Sequence, residues 1–398
     1  MISADRLARR LAGLEAIGAG PHGIVRMAWS AEDAECRAWF THQASELGLS
    51  VLRDPAGNLW ACPDSEPPWW AVGSHLDSVW GGGRFDGPLG VACGFEIAAS
   101  SRLPIAVLSF ADEEGARFNT PTFGSKALVG LHDLPRVLER RDEQHMPLRE
   151  AMRSAGVDPE HVAGASAWLA KLSGLIEVHI DQSTDVARAG APAAIVSALV
   201  SRRRIEVEIR GQADHAGTTP AAERRDALAA GARLIVAAED HARGFDGLIV
   251  TTARIVVEPN AATTIPAHVR LWIDARAPRP ETAEEWLDGL GRLAEELAVR
   301  SRVAIELRTA SRSAHQTFDA ALRGALARGC AEQLGYSVPE VLCFAGHDAG
   351  VLAQRIPAAM VLVRNATGIS HSPQETVELD DAALAARAVQ AALQTLGG

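Results

Sequence analysis

Short unbroken apolar runs alternate with stretches whose apolar positions recur at helical spacing, a pattern that predicts strands layered with helices. Residues 30–47 open with Ser30 and Asp33 in a capping-box-like arrangement and stop at Gly48, which predicts a surface helix. Apolar runs follow at 59–61, 69–73 and 105–110, with a helix-like stretch at 89–99, and another buried run spans 175–180. Strands that are apolar on both sides need cover on both faces, so these runs predict a sheet flanked by helices.

After about Gly190 the pattern changes. Residues 204–210 alternate strictly between apolar and charged, as a strand with one wet face does. A helix is expected at 221–241, strands at 248–257 and 269–274, and a Glu/Leu-rich helix at 281–299. Strand, helix, strand, strand, helix, strand is the order of a small α+β, ferredoxin-like unit with an open sheet face. From about Ser313 the first pattern returns, with a helix at 316–334 stopped by Gly335 and a strand at 360–363. The chain therefore reads as a discontinuous α/β catalytic domain, 1–195 and 312–398, interrupted by a smaller domain at 196–311. Its 398 residues exceed one ordinary core, which fits an insertion.

Composition narrows the class. Apolar residues make up 47% and charged residues 22%, and no run approaches the roughly 18 apolar residues of a membrane span. A soluble globular chain is expected, with no membrane partner. Thirty-nine basic against 50 acidic residues give a net charge of −11, which argues against a general nucleic-acid surface. Lys126 and Lys171 are the only lysines, a bias without functional meaning. The first residues lack an apolar stretch behind their positive charges, so a cytoplasmic location is expected. Cys36, Cys62, Cys93, Cys330 and Cys343 are scattered, as reduced buried thiols are, and make no cysteine-based zinc site.

Polar clusters follow the apolar runs, where open α/β sheets bind ligands. His75 and Asp77 come directly after one run. An imidazole that binds metal usually donates its other N–H to a carboxylate, and the alternative is a plain strand-end histidine. Asp86 sits in a glycine-rich turn before Pro88, either a helix start or a carboxylate able to bridge two metal ions. Asp112, Glu113 and Glu114 crowd the end of the most apolar run. Like charges there repel unless a cation or proton neutralises them, and the alternative is a solvated acidic loop. His179 and His371 are the remaining ligand candidates. Oxygen and nitrogen donors without thiolates suit zinc, manganese, cobalt or nickel.

Taken in order, Gly-Ser-His75-Leu-Asp77-Ser, Gly-Gly-Arg-Phe-Asp86-Gly-Pro, Glu113-Glu114-Gly-Ala-Arg-Phe, Phe-Gly-Ser-Lys-Ala, Glu-Val-His179-Ile-Asp-Gln182, His215-Ala-Gly-Thr-Thr-Pro, Gly-His347-Asp348-Ala and Ser-His371-Ser-Pro-Gln-Glu resemble the metal-dependent amidases of the M20 peptidase-like superfamily. The resemblance is to its branch of N-carbamoyl-L-amino-acid hydrolases, ureidopropionases and allantoate amidohydrolases. It implies a zinc-peptidase-like catalytic domain with a mixed sheet, an inserted lid that forms a homodimer, and two divalent metal ions per subunit. It further implies that His75, Asp86 and His179 hold one ion and Asp86, Glu114 and His371 the other. Glu113 is the implied general base and Asp77 the partner of His75. His215 is implied to stabilise the oxyanion, Gln182 to bind the ureido group and Arg276 the substrate carboxylate.

One departure stands out. Where the family has Asn, thirteen residues before the arginine, this chain has Thr263, which is shorter and lacks the paired donor and acceptor of an amide. His347 and Asp348 are expected to be structural support, and Asn260 a turn residue. The expected reaction is hydrolysis of a C–N bond in a ureido or amide group of a small anionic substrate, allantoate or an N-carbamoyl-L-amino acid. The alternatives are an aminoacylase or dipeptidase of the same superfamily, or a binding protein on this fold.

Overall fold

A computed structural model describes residues 2–396. The chain divides into two compact units, one formed by residues up to Ala198 and from Thr317 onward, the other by Leu199–Gln316. The first opens with α1 (Ala4–Glu15), which buries Leu7, Leu11 and Leu14 along one face. At the start of α2 (Ala31–Glu46) the Ser30 hydroxyl accepts the Asp33 N–H at 3.2 Å, and the Asp33 carboxylate accepts the Trp29 N–H at 2.9 Å. Donors left over at the helix start are thus met reciprocally. Then follow β1 (Ser50–Arg53), β2 (Leu59–Cys62), β3 (Trp69–His75), α3 (Pro88–Ser100), β4 (Ile105–Phe110), β5 (Leu172–Ile180) and β6 (Ala193–Leu199).

The second unit comprises β7 (Ser201–Arg210), α4 (Ala227–Ala242), β8 (Ile249–Glu258), β9 (His268–Ala277), α5 (Pro280–Ser301) and β10 (Ala304–Ser313). The chain then returns with α6 (Ala320–Leu334), β11 (Glu340–Cys343), β12 (Ala358–Val363) and α7 (Leu379–Leu396).

The large sheet runs β6-β12-β5-β3-β4-β2-β1, with β11 alongside β6. Its centre, β12, β5, β3 and β4, is parallel, whereas β6, β2 and β1 pair antiparallel, so the sheet is mixed. Every residue of β4 and β12 is buried, as the apolar runs require. Val72, Ile176 and Val361 of the sheet pack with Leu89 and Ile97 of α3, Leu326 of α6 and Val389 of α7. Helix α3 approaches the sheet most closely at Gly90. A Cβ there would stand 2.7 Å from that of Ser74 and nearer still to the Val178 carbonyl.

In the second unit the sheet runs β8-β9-β7-β10, antiparallel throughout. Helices α4 and α5 cover one face over Ile205, Val207, Leu271, Ile273, Trp286 and Leu290. The alternate positions of β7 and β9 are polar and only partly buried, which is the origin of the period-two pattern at 204–210.

Two helix starts differ from expectation. Helix α4 begins at Ala227 because the Asp226 carboxylate accepts the Ala229 N–H at 2.9 Å and caps it. Helix α6 begins at Ala320 because Asp319 does the same for Leu322 at 2.9 Å. Gly335, with φ of 76°, ends α6 in the left-handed conformation.

Candidate metal centre

Three parallel strands deliver polar residues to one edge of the large sheet. His75 is the last residue of β3, His179 lies next to the end of β5, and Asp112–Glu114 follow β4 directly. Asp86 arrives from the turn before α3. That turn needs Gly87, whose φ is 83° and whose Cβ would stand 2.6 Å from the imidazole of His75. His371 comes from the loop after β12 and has a positive φ of 55°.

The side chains converge on Asp86. Its Oδ1 lies 3.1 Å from His179 Nε2 and 3.4 Å from His75 Nε2, while its Oδ2 lies 3.4 Å from His371 Nε2. His371 Nε2 is 3.5 Å from a Glu114 oxygen, and a Glu113 oxygen is 3.8 Å from His75 Nε2. Two groups of three donors result, His75–Asp86–His179 and Asp86–Glu114–His371, with the ligand atoms of each group within 4.8 Å of one another. Asp86 belongs to both. Gln182 Nε2 donates to Asp86 Oδ2 at 2.8 Å, and the Ser370 hydroxyl donates to the same oxygen at 3.1 Å.

Asp77 ties two loops together. Its carboxylate oxygens accept the Glu113 and Glu114 N–H groups at 3.2 and 3.1 Å. The His75 Nδ1 faces the Asp77 backbone carbonyl at 3.0 Å, with the carboxylate at 3.7 Å. His179 Nδ1 likewise meets the Ile180 carbonyl at 2.9 Å. Each imidazole is thus held through Nδ1 and turns Nε2 toward Asp86.

The charge balance calls for cations. His75, Asp77, Asp86, Glu113 and His179 are all buried. Burial raises the carboxyls of Glu113 and Glu114 well above their usual range, and Asp348 and Glu114 for the one, Asp86 for the other, push the same way while His75 opposes. Asp86 goes in the opposite direction: burial would raise it, but His179 and His75 hold it well below the carboxylate range. Buried His179 Nε2 stands 3.1 Å from Asp86 Oδ1 and makes no regular hydrogen bond. A buried lone pair beside an anion, in a donor set of nitrogen and oxygen without sulfur, fits a divalent metal.

Residues 63–395 match Peptidase family M20/M25/M40. The chain belongs to this family. It is 34% identical, over 397 residues and 97% of each chain, to the N-carbamoyl-L-amino acid amidohydrolase of Geobacillus stearothermophilus. It is 29% identical over 366 residues to the allantoate amidohydrolase of Bacillus subtilis (strain 168), which covers 89% of this chain and 88% of that one. Among solved structures, an amidase of the hydantoinase/carbamoylase family from Burkholderia vietnamiensis superposes with a TM-score of 0.90 at 28% identity, covering 99% of this chain and 97% of that chain. The chain is accordingly an amidohydrolase of the M20 family. No helix among its described residues is long and apolar enough to cross a membrane.

Around the centre of this M20 amidohydrolase lie residues that sequence reasoning did not assign. Glu375 Oε2 accepts the N–H groups of Phe85 and Asp86 at 2.9 and 3.1 Å, which fixes the turn that presents Asp86. The signal for it was its place in the His371 motif. Glu177 accepts the Ser74 hydroxyl at 2.8 Å and the Ala349 N–H at 2.9 Å, joining β3, β5 and the segment after His347. His347 and Asp348, expected as structural support, lie here too: the ring of His347 packs 4.4 Å from that of His179, and the Ser125 hydroxyl donates to Asp348.

The remaining candidates lie in the second unit. His215 pairs in register with Thr264, and the Ala216 N–H donates to the Thr263 carbonyl at 3.0 Å, so His215 and Thr263 are neighbours. His215 Nδ1 accepts the Gly217 N–H at 3.0 Å, which leaves Nε2 as the ring nitrogen able to donate. Arg276 is elsewhere. It pairs with Arg202 near one end of the small sheet, whereas His268, beside the Asp214–His215 segment's partner strand, pairs with Arg210 near the other. Eight residues of antiparallel strand separate His268 from Arg276, a span of roughly 27 Å.

Proposed function

We propose that this chain is a di-metal amidohydrolase that cleaves the C–N bond of the ureido group in a carboxylate-bearing substrate, foremost an N-carbamoyl-L-amino acid. The observation that carries this reading is Asp86, whose two oxygens each face a separate three-donor group beside Glu113. His75, Asp86 and His179 would hold one divalent ion, and Asp86, Glu114 and His371 a second, with zinc, manganese, cobalt or nickel as the candidates. When bound, such ions supply Lewis acidity that acidifies a water and polarises the scissile carbonyl.

The side chains do the rest. Glu113 takes the proton from the attacking water and delivers it to the leaving nitrogen. Asp77 holds Glu113 and Glu114 by their backbone N–H groups and steadies His75. Gln182 orients the ureido group. Arg276 binds the substrate carboxylate bidentately, and His215 donates from Nε2 to the oxyanion, with Thr263 beside it. The discontinuous unit is then the catalytic domain, and Leu199–Gln316 the lid and dimerisation domain.

The separation of Arg276 from His215 supports the dimer. Arg276 lies roughly 27 Å along its strand from His268, which follows the partner strand of His215, so a centre that uses both Arg276 and His215 would draw them from two subunits. Allantoate is the second reading, favoured by the similarity to the Bacillus subtilis enzyme. Ammonia release from N-carbamoyl-L-amino acids, allantoate and dipeptides, assayed with metal, tests the reading. Turnover of ureido acids is expected, and cleavage of dipeptides alone would replace it with a peptidase.

A further inference from the structure

The two donor groups that share Asp86 are built differently. In the first, His75, Asp86 and His179 are all buried and stand on β3, on β5 and in the turn before α3. The second depends on His371, a half-exposed side chain on a loop, whose own φ is 55°. A non-glycine residue stays in that conformation only where its surroundings hold it there. Here the hold comes from Asn365, which is fully buried six positions earlier. Its Oδ1 accepts the Thr367 and Gly368 N–H groups at 3.2 Å each and the Thr367 hydroxyl at 2.9 Å, while its Nδ2 donates to the Ile369 carbonyl at 2.8 Å. One amide thus supplies both the acceptor and the donor that fold the chain between β12 and His371.

The folded loop rests on a second one. Gly368 has a φ of 68°, and a Cβ on it would stand 2.7 Å from Thr184 Cγ2 and 3.0 Å from the Ser183 carbonyl, so the contact needs glycine. Asp181 fixes the loop beneath. Its carboxylate accepts the Ser183 N–H at 2.9 Å, the Ser183 hydroxyl at 2.7 Å and the Val186 N–H at 3.0 Å, and its own N–H donates to the Val363 carbonyl at 2.8 Å. From these two loops Gln182 Nε2 and His371 Nε2 come within 3.4 Å of each other, and both face Asp86 Oδ2, at 2.8 and 3.4 Å.

We infer that Asn365 is a positioning residue for His371, and that the ion held by Asp86, Glu114 and His371 owes its affinity to Asn365 while the ion held by His75, Asp86 and His179 does not. Asn365 acts through the backbone of residues 367–369. Without it the backbone at His371 relaxes and the imidazole turns away from Asp86, whereas the strand-borne donors stay in place. The inference rests on the di-metal reading proposed above.

The test is a calorimetric titration of the stripped full chain with Mn²⁺, with circular dichroism to check the fold and His371→Ala to mark which binding step belongs to the second ion. In Asn365→Ala the first step is expected to stay within about twofold of wild type and the second to weaken by about 10- to 100-fold, with kcat recovering as Mn²⁺ is raised. Asn365→Asp, which keeps the acceptor and loses the donor, is expected to fall between the two. Gly368→Ala lifts the loop from Ser183 and Thr184 without touching the amide, and is expected to weaken the same step, which keeps the test open if Asn365→Ala does not fold. Equal weakening of both steps, or a folded variant whose second step is unchanged although His371→Ala abolishes it, overturns the inference and leaves the di-metal reading intact. Failure of that reading looks different: wild type then binds one ion or none, His371→Ala changes nothing, and the inference falls with it.

Discussion

At the scale of single residues, side chains that lie within one cluster have distinct consequences when changed. Glu113→Gln keeps the shape and removes the base, so kcat is expected to fall by about 10²–10⁴ with metal content unchanged. Normal turnover by this variant would remove Glu113 from the mechanism. Glu375→Gln acts differently, because Glu375 accepts from the backbone of Phe85 and Asp86 and positions the turn that carries Asp86. Its metal affinity is expected to weaken about 10- to 100-fold in a competition titration, and an unchanged affinity would show that the turn holds without it.

Acid sensitivity has a residue-level source away from the centre. His132 Nε2 meets the Phe123 carbonyl at 2.8 Å, its ring is 4.8 Å from that of Phe123, and burial pushes its imidazole down to about 4. From its ordinary value of 6.5 down to about 4, the unfolded chain binds a proton that the folded chain refuses. Stability therefore falls as pH drops through that window, by at most about 3 kcal/mol. His132→Gln is expected to flatten that part of the denaturation profile, and an identical acid slope would contradict the assignment.

Which residues were legible follows from the same contacts. His75, Asp86, Glu113, Glu114 and His179 each stand in a recognisable local pattern at the end of an apolar run or before a helix. Glu375 is marked only by its place in the His371 motif, since its role depends on a loop meeting a turn 290 positions earlier in the chain. The sequence pattern makes Asp77 the expected carboxylate partner of His75. In the structure its carboxylate holds the acidic loop while its carbonyl lies nearer the ring.

At the scale of elements, the centre depends on how closely α3 lies on β3 and β5. Gly90→Ala is expected to lower the melting temperature, because overpacking at such a contact typically costs about 1–3 kcal/mol. It should also weaken metal binding, since α3 begins directly behind Asp86. A variant with wild-type stability would mean that the helix can yield there. The strands with unbroken apolar runs were legible because burial on both faces leaves no other solution, and β4 spans the residues that the pattern marked. Helix starts were less so. Asp226 and Asp319 cap where a longer helical pattern had continued upstream. The outer strands β1 and β11 are short, the first largely exposed and the second only partly buried, so their pairing, and not their composition, makes them strands.

At the scale of the whole molecule, the placement of Arg276 at the strand end opposite His268 leads to a complementation experiment. Arg276→Ala and His215→Ala are each expected to be inactive as homodimers. Co-expressed, they are expected, if the chain dimerises as proposed, to give mixed dimers in which one centre has both groups intact and to restore roughly a quarter of wild-type activity. Activity that stays at the level of the single variants would mean that each centre draws on one chain alone. The alternating pattern at 204–210 made the open-faced sheet legible, but the opposite placement of the two residues appears only through the strand register.

The central claim is that Asp86 joins two metal positions into one hydrolytic centre. Its most direct test is to strip the protein with chelator, add Mn²⁺, Co²⁺ or Zn²⁺ stepwise, and follow ammonia release from an N-carbamoyl-L-amino acid. The account predicts no turnover in the stripped protein and activity that climbs until about two ions are bound per chain. Turnover that survives chelation, or saturates below about one ion per chain, would contradict it.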